Sequence, residues 1–348
     1  MITVLMPVYN GAEFVEEAIR SILNQTFSRF ELLIIDDAST DDTGFRIRQF
    51  SDPRIRYFRL ESHQGIRYCL NLGLARARYP LVARQDADDR SHPQRLEYQW
   101  RFLQSHPDYL IVGSHGFRVN RTGTRLGYLF KPVDAQSLRW IQCFESPFIH
   151  TSVMFRRQPV VDRFGGYPEC HHCEDIALWS RLLLQGPAAN LPLPLIDYRV
   201  HEQSTIRQIA ADSIEALFEK QVLPVLHHYV RCLLKEAFPR DCVRILAAVP
   251  RGIRVANAKR FWDCYLELLE RFVAGHPQAL TSAAFQETLL YQMLGLMRRV
   301  PGRPPLKMIR RFGQWILQHP VRAFQVFSWK KGFFLSRPSL ESTRSKMV

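Results

Sequence analysis

Between Met1 and Ser114 the chain repeats one pattern, in which a short apolar run is followed by a segment of helical period and then by another apolar run. The runs Ile2–Met6, Glu31–Asp36, Arg54–Leu60, Leu81–Arg84 and Tyr109–Ser114 predict strands. From Gly11 to Asn24, Phe14, Ala18 and Ile22, with Val15 and Ile19 beside them, fall on one helical stripe. Asn10 stands where an N-cap would, and Glu13, Glu16 and Glu17 place negative charge in the first turns, the sign the helix dipole favours. Gly65–Ala77 and His92–Gln104 predict two further helices. Strand and helix in alternation imply parallel βαβ units in a doubly wound α/β sheet, whose ligand crevice lies beyond the carboxyl ends of the strands.

Beyond Phe117 the pattern breaks into shorter pieces with turn signals at Gly165-Gly166, Pro168, Pro187, Pro192 and Pro194. After Thr205 it changes to long helical patterns, and Pro301, Pro304 and Pro305 mark a linker. The expected organisation is therefore 1–205, divided near 115, then a helical region 206–300 and a tail 301–348. Of the formal net charge of +14, the tail carries +9, because ten basic residues there face Glu341 alone. A composition 46% hydrophobic, 23% charged and 12% aromatic excludes a disordered or fibrous chain. No run of 18 apolar residues predicts a membrane span. Met1 leads straight into a strand-like run, and seven cysteines, an odd number, fit a reducing compartment better than a disulfide framework. A cytoplasmic protein is expected.

The second strand ends in Asp36-Asp37, and the fourth, in LVARQDADD, ends in Asp86, Asp88 and Asp89. So many carboxylates at one sheet edge repel one another unless they share a cation. Mg²⁺ takes one or two carboxylates and completes its sphere with water and phosphates. Two aspartates at i, i+2 suit that geometry, one on the ion and the other on a sugar hydroxyl. A plainer role is also open, with Asp88, Asp89 or Ser91 capping the helix that starts near His92-Pro93. No G-x-G-x-x-G follows the first strand and no G-x-x-x-x-G-K-[ST] occurs, which argues against a dinucleotide-dependent dehydrogenase and a P-loop NTPase.

Taken in order, the segments MPVYNGAEFVEEAIRSILNQTFSRFELLIIDDASTDDT, GIRYCLNLGLARARYPLVARQDADD, HPQRLEYQ, ESPFIHTSVMFRR, FGGY, CEDIALWSRLLLQG and YRVHEQST resemble the family-2 inverting glycosyltransferases over residues 1–205. The resemblance implies a GT-A fold, here with a helical, basic C-terminal extension, and hexosyltransferase-type chemistry on a nucleotide-sugar donor, very often UDP-linked, with Mn²⁺ or Mg²⁺. It implies that Pro7, Val8, Tyr9 and Asn10 line the nucleoside pocket and that Asp37 takes the base edge. Asp86 would face the ribose or sugar, while Asp88 would hold the metal, with His201 helping. Asp175 would be the general base with Glu174 beside it, and His150 would lie on the acceptor side. Leu70 stands where relatives often carry a basic residue before the asparagine, and Arg67, one turn earlier, is the nearest cation. The nucleotide-sugar half would be 1–115 and the acceptor half 116–205.

The chemistry suits these roles. Inverting displacement at an anomeric carbon needs a base for the acceptor hydroxyl and charge stabilisation on the departing diphosphate. Glu174-Asp175 also fits an ordinary acidic helix start. Cys170-His171-His172-Cys173 holds a C-x-x-C that could bind zinc, though a second ligand pair is missing. The rival enzyme class, a nucleotidyltransferase, needs a basic glycine-rich phosphate loop after the first strand, and PVYNGAEF has no lysine or arginine. A non-catalytic nucleotide-sugar-binding scaffold is the other alternative. In the tail, Met308, Ile309, Phe312, Trp315 and Ile316 share a helical face opposite Lys307 and Arg311. Such a helix can lie on an anionic membrane, which suits a peripheral enzyme with a glycan or lipid-linked acceptor in surface polysaccharide or lipopolysaccharide synthesis, or it can pack on the body. Nucleic acid ranks last among its partners, since no recognisable nucleic-acid module accompanies it.

Overall fold

In the structure, a computed structural model that describes residues 1–170, 172–201, 211–300, Pro304 and Arg310, the expected alternation is realised. Strands β1 (Ile2–Val8), β2 (Phe30–Asp36), β3 (Ile55–Arg59) and β4 (Leu81–Arg84) are all parallel where they pair, with β1 between β2 and β4. Every residue of β1, β2 and β4 is buried, as continuous apolar runs in a sheet covered on both faces must be. Helices α1 (Val15–Leu23), α2 (Thr43–Arg48), α3 (Ile66–Arg76) and α4 (Arg95–Ser105) cover those faces. The expected strands and helices agree with these to within a few residues at each end.

The sheet continues through β5 (Arg90–Ser91), β6 (Ile111–Val119), β7 (Arg125–Leu129), β8 (Met154–Arg156) and β9 (Ala188–Arg199). Its order is β3-β2-β1-β4-β8-β6-β9-β5, with β7 beside β6. Antiparallel pairs β4/β8, β6/β8, β6/β7 and β5/β9 enter only here. Strand β9 corrects the expectation of turns at Pro192 and Pro194. Its register against β6 shifts on both sides of His115, opposite Pro194, so the prolines sit at an irregularity where no ladder N–H is required.

Two apolar cores flank the sheet. One joins Met6, Ile19, Ile34 and Leu96 under α1 and α4. The other runs from Leu5, Leu33 and Leu70 through α5 (Ala135–Gln142) and α7 (Glu174–Gln185) to Phe261, Phe285 and Val300. The helices of 211–300 therefore share the core of the sheet. Trp140, fully buried, donates from Nε1 to Gln292 Oε1 at 2.7 Å, and the Tyr265 hydroxyl donates to the same oxygen at 2.9 Å.

Cysteine count predicts reduced thiols throughout, and the structure differs. Cys170 pairs with Cys173 in one turn, and Cys242 with Cys264 across two packed helices, with Cα atoms 5.5 and 5.3 Å apart, within disulfide reach. Cys69, Cys143 and Cys232 are thiols. No helix among the described residues is long and apolar enough to cross a membrane. The amphipathic pattern of 306–319 lies outside the described residues, apart from Arg310.

Candidate active site

The parallel register sets the site. Val8 pairs with Asp36, and Leu5 with Arg84, so the ends of β1, β2 and β4 reach one edge together. Pro7 and Val8 are themselves strand residues with buried side chains. Tyr9 is exposed, and its ring lies 4.2 Å from that of His63. Asn10 has φ +49° and is not the cap of α1, which begins five residues later at Val15. Its side-chain oxygen accepts from Thr40 N at 2.8 Å, while its own N–H donates to Ser39 Oγ. The next two amides, of Gly11 and Ala12, donate to Thr43 Oγ1 and Asp41 Oδ2. These three N–H groups are thus taken by the 39–43 loop. Phosphate-cradling loops need such amides available, so this turn is built differently from theirs.

At the end of β2 the two aspartates divide their work. Asp36 ties the local turn together, accepting from Ser39 N at 2.8 Å and from the Tyr57 hydroxyl at 2.5 Å. Asp37 is 3% exposed and accepts from the amides of Gln64 and Gly65 at 2.7 and 2.8 Å. Arg67, on the following helix, faces Glu169 at 3.9 Å.

Beyond β4, the aspartates do not cap α4, whose N-cap is Gln94 without a side-chain hydrogen bond. Asp88 Oδ2 lies 3.0 Å from His201 Nε2, so the two residues expected at a metal are in contact. Carboxylate oxygen and imidazole nitrogen suit Mn²⁺ or Mg²⁺ in donor type, the imidazole favouring the former. Among the described residues no three or more His, Cys, Asp or Glu side chains are grouped to hold an ion. An ion here would have two protein ligands and take the rest from diphosphate and water, as Mg²⁺ commonly does. Burial first, and then Asp88 and Asp86, hold the Asp89 carboxyl well above the usual range, although Arg199 N donates to its Oδ1 at 2.7 Å.

Arg84 was missed as a site residue, although a basic residue inside a buried apolar strand is a recognisable signal. Its side chain is 1% exposed, and Nη2 donates to Asp86 Oδ1 at 2.5 Å. Its positive charge also reaches Glu174 and Tyr167, where it opposes the burial that raises their pKa values, and His150, where it adds to the lowering by burial. One buried guanidinium therefore lies within the field of both the β4 carboxylates and the acid pair of α7.

Glu174 and Asp175 are the first two residues of α7. Glu174 is buried, one of its oxygens, Oε2, has no hydrogen-bond partner, and burial together with Asp175 pushes its pKa up to about 7. Burial also raises Asp175, while the Ile176 N–H, Ser146, Lys131 and Arg251 favour its charged form. Sequence reasoning gave no role to Lys131 and Arg251. Lys131 Nζ donates to Ser146 O at 2.8 Å, and Arg251 comes from the helical region 211–300. His150 Nε2 is 3.1 Å from the Tyr167 hydroxyl, and burial followed by Arg84 lowers its pKa well below the ordinary value, so the ring is neutral. The adjacent Thr151 accepts from Asp86 N at 2.9 Å. The FGGY turn is held by Asn71, which accepts from Tyr167 N at 2.7 Å and donates to Tyr167 O at 3.0 Å.

The edge thus gathers the Asp88–His201 pair, with the donor types of a divalent-cation site, and an acid pair whose two members are both raised by burial. Residues 3–164 match the family model described as Glycosyl transferase family 2. The chain is 30% identical over 251 residues to the O-antigen biosynthesis glycosyltransferase WbnJ of Escherichia coli, covering 68% of this chain and 97% of that one. It is 29% identical over 214 residues to the UDP-Gal:alpha-D-GlcNAc-diphosphoundecaprenol beta-1,3-galactosyltransferase of Escherichia coli, covering 59% and 76%. Among solved structures, S. aureus TarS in complex with UDP-GlcNAc aligns with TM-score 0.55 at 18% identity, over 96% of this chain and 93% of that one. Mannosyltransferase PcManGT from Pyrobaculum calidifontis, in complex with GDP-Man and Mn²⁺, aligns with TM-score 0.53 at 18% identity, over 93% and 86%. These structural likenesses show the GT-A fold. The chain belongs to glycosyl transferase family 2.

Proposed function

We propose that the enzyme transfers a sugar, with inversion, from a UDP-sugar to a hydroxyl of a glycan or lipid-linked acceptor during surface polysaccharide or lipopolysaccharide synthesis. The observation that carries this reading is the charge of Arg84, shared between Asp86 on the donor side and Glu174 in the acid pair. The named activities of WbnJ and of the diphosphoundecaprenol galactosyltransferase support the acceptor class. The complexes of TarS support a uridine donor.

In this mechanism Asp37 receives the base edge, with Tyr9 on its face, and Asp86 orients the ribose or sugar. Asp175 accepts the proton of the acceptor hydroxyl, whose oxygen forms the new bond to the anomeric carbon as the bond to the diphosphate breaks. Lys131 and Arg251 favour the charged form of Asp175 against the burial that raises its pKa. Asp88 and His201 would hold Mn²⁺ or Mg²⁺, which when bound supplies positive charge against the leaving diphosphate. Arg67 and His150 flank the site from the donor and acceptor sides.

The test is release of nucleoside diphosphate from UDP-, GDP- and dTDP-sugars, with and without Mn²⁺, in the wild type and Asp88→Asn. Metal-dependent release from one donor, lost in the variant, is expected. Failure of any nucleotide sugar to bind by calorimetry would overturn the reading. The domain boundaries near 115, 205 and 300 belong to the same proposal, as does attachment of the basic tail to an anionic membrane on its cytoplasmic face. Sedimentation with anionic vesicles, with and without 301–348, checks the attachment.

A further inference from the structure

The loop between β3 and α3 brings His63 onto the two residues assigned above to the nucleobase. His63 Nδ1 is 2.9 Å from Asp37 Oδ2, and its ring lies 4.2 Å from the ring of Tyr9, tilted by 38°. The imidazole thus presents to Asp37 and Tyr9 a planar ring with a nitrogen in its edge, as a uracil does.

The acceptor capacity of Asp37 makes the coincidence consequential. A carboxylate has about four lone-pair positions. The amides of Gln64 and Gly65 donate to this one at 2.7 and 2.8 Å, and His63 Nδ1 stands 2.9 Å from the oxygen that Gly65 holds. The two amides belong to the backbone of the loop. His63 is the partner free to leave, with its side chain 55% exposed.

We infer that His63 occupies the position of the donor's nucleobase, and that a base with a ring N–H binds by displacing it from Asp37 and Tyr9. This rests on the reading of Asp37 and Tyr9 as the base site. His63 is then a residue that sets donor affinity: it lowers the affinity for every donor and leaves bound only bases able to restore both contacts.

The experiment compares binding of UDP, in the presence of Mn²⁺, to wild type, His63→Ala and Asp37→Asn by calorimetry, and follows the His63 ring signals by NMR as UDP is added. Removing one polar contact and one ring contact that compete with the ligand should tighten UDP binding roughly 3- to 10-fold in His63→Ala. In the wild type the His63 signals should move away from their Tyr9-shifted positions at saturation. Equal or weaker binding in His63→Ala, or His63 signals unmoved by saturating UDP, overturns the inference while leaving the base site standing. If UDP binds neither protein, or binds Asp37→Asn as well as wild type, the base-site reading itself fails and the inference falls with it.

Discussion

Asp88 and His201, 113 residues apart in the chain, meet at 3.0 Å. Neither is held there alone. The carbonyl of Asp88 accepts from Arg199 Nε at 2.8 Å, and the His201 ring packs on Phe14, 5.0 Å between centroids. The end of β9 is thereby fastened to the turn after β4. Asp88→Asn should lower kcat on the order of 100-fold through lost stabilisation of the leaving diphosphate. His201→Ala should chiefly raise the Mn²⁺ concentration needed for half-maximal rate. Metal titrations of both variants check this, and an unchanged titration in His201→Ala would remove His201 from the metal.

The raised pKa of Glu174 gives a stability profile with a definite sign. Its folded value, about 7, lies above the ordinary carboxylate value of 4.5. Its burial is therefore tolerated fully at acid pH and becomes a cost as pH rises through 7. Glu174→Gln should remove that loss, so its Tm should gain on wild type between pH 5 and 8.5 by a few degrees. Thermal melts across that range check it, and parallel curves for the two proteins would contradict it.

Arg84 links the two carboxylate groups of the site, and its removal leaves buried charge uncompensated. Arg84→Ala should cost about 3 kcal/mol in stability and abolish most activity. Arg84→Lys keeps the charge but not the planar fork. It should retain more stability than activity, with the acid limb of the pH–rate profile moved upward as Glu174 loses part of its compensation. Denaturant unfolding and pH–kcat profiles separate the two effects.

Gly166 has φ +95°, and a Cβ there would lie 2.3 Å from Asn71 Oδ1. Gly166→Ala should therefore destabilise the protein by about 1–3 kcal/mol and loosen the turn that holds Tyr167 beside His150. Denaturant unfolding measures the loss. If Asn71→Ala relieved none of it, the proposed clash would not be its cause.

Strands β1 to β4 were legible because each is a short apolar run bounded by turns, and α1 and α3 because their apolar residues keep the helical period. The acidic strand ends were visible for the same reason: charge stands out after an apolar run. What sequence could not supply was partnership across the chain. Asn10 reads as a cap until the 39–43 loop, thirty residues on, takes the neighbouring amides. Strand β9 was hidden by prolines whose missing N–H groups matter only once the register against β6 is known. Arg84, Lys131 and Arg251 gain meaning from carboxylates that are distant in sequence and near in the fold.

Trp140 and Gln292 carry a consequence for recombination between relatives. The indole belongs to the sheet-bearing part and its acceptor to the last described helix, with Tyr265 sharing the same amide oxygen. A chimera spliced after β9 would put an unfamiliar helical wall against that indole, and a chain stopped there would leave it in water.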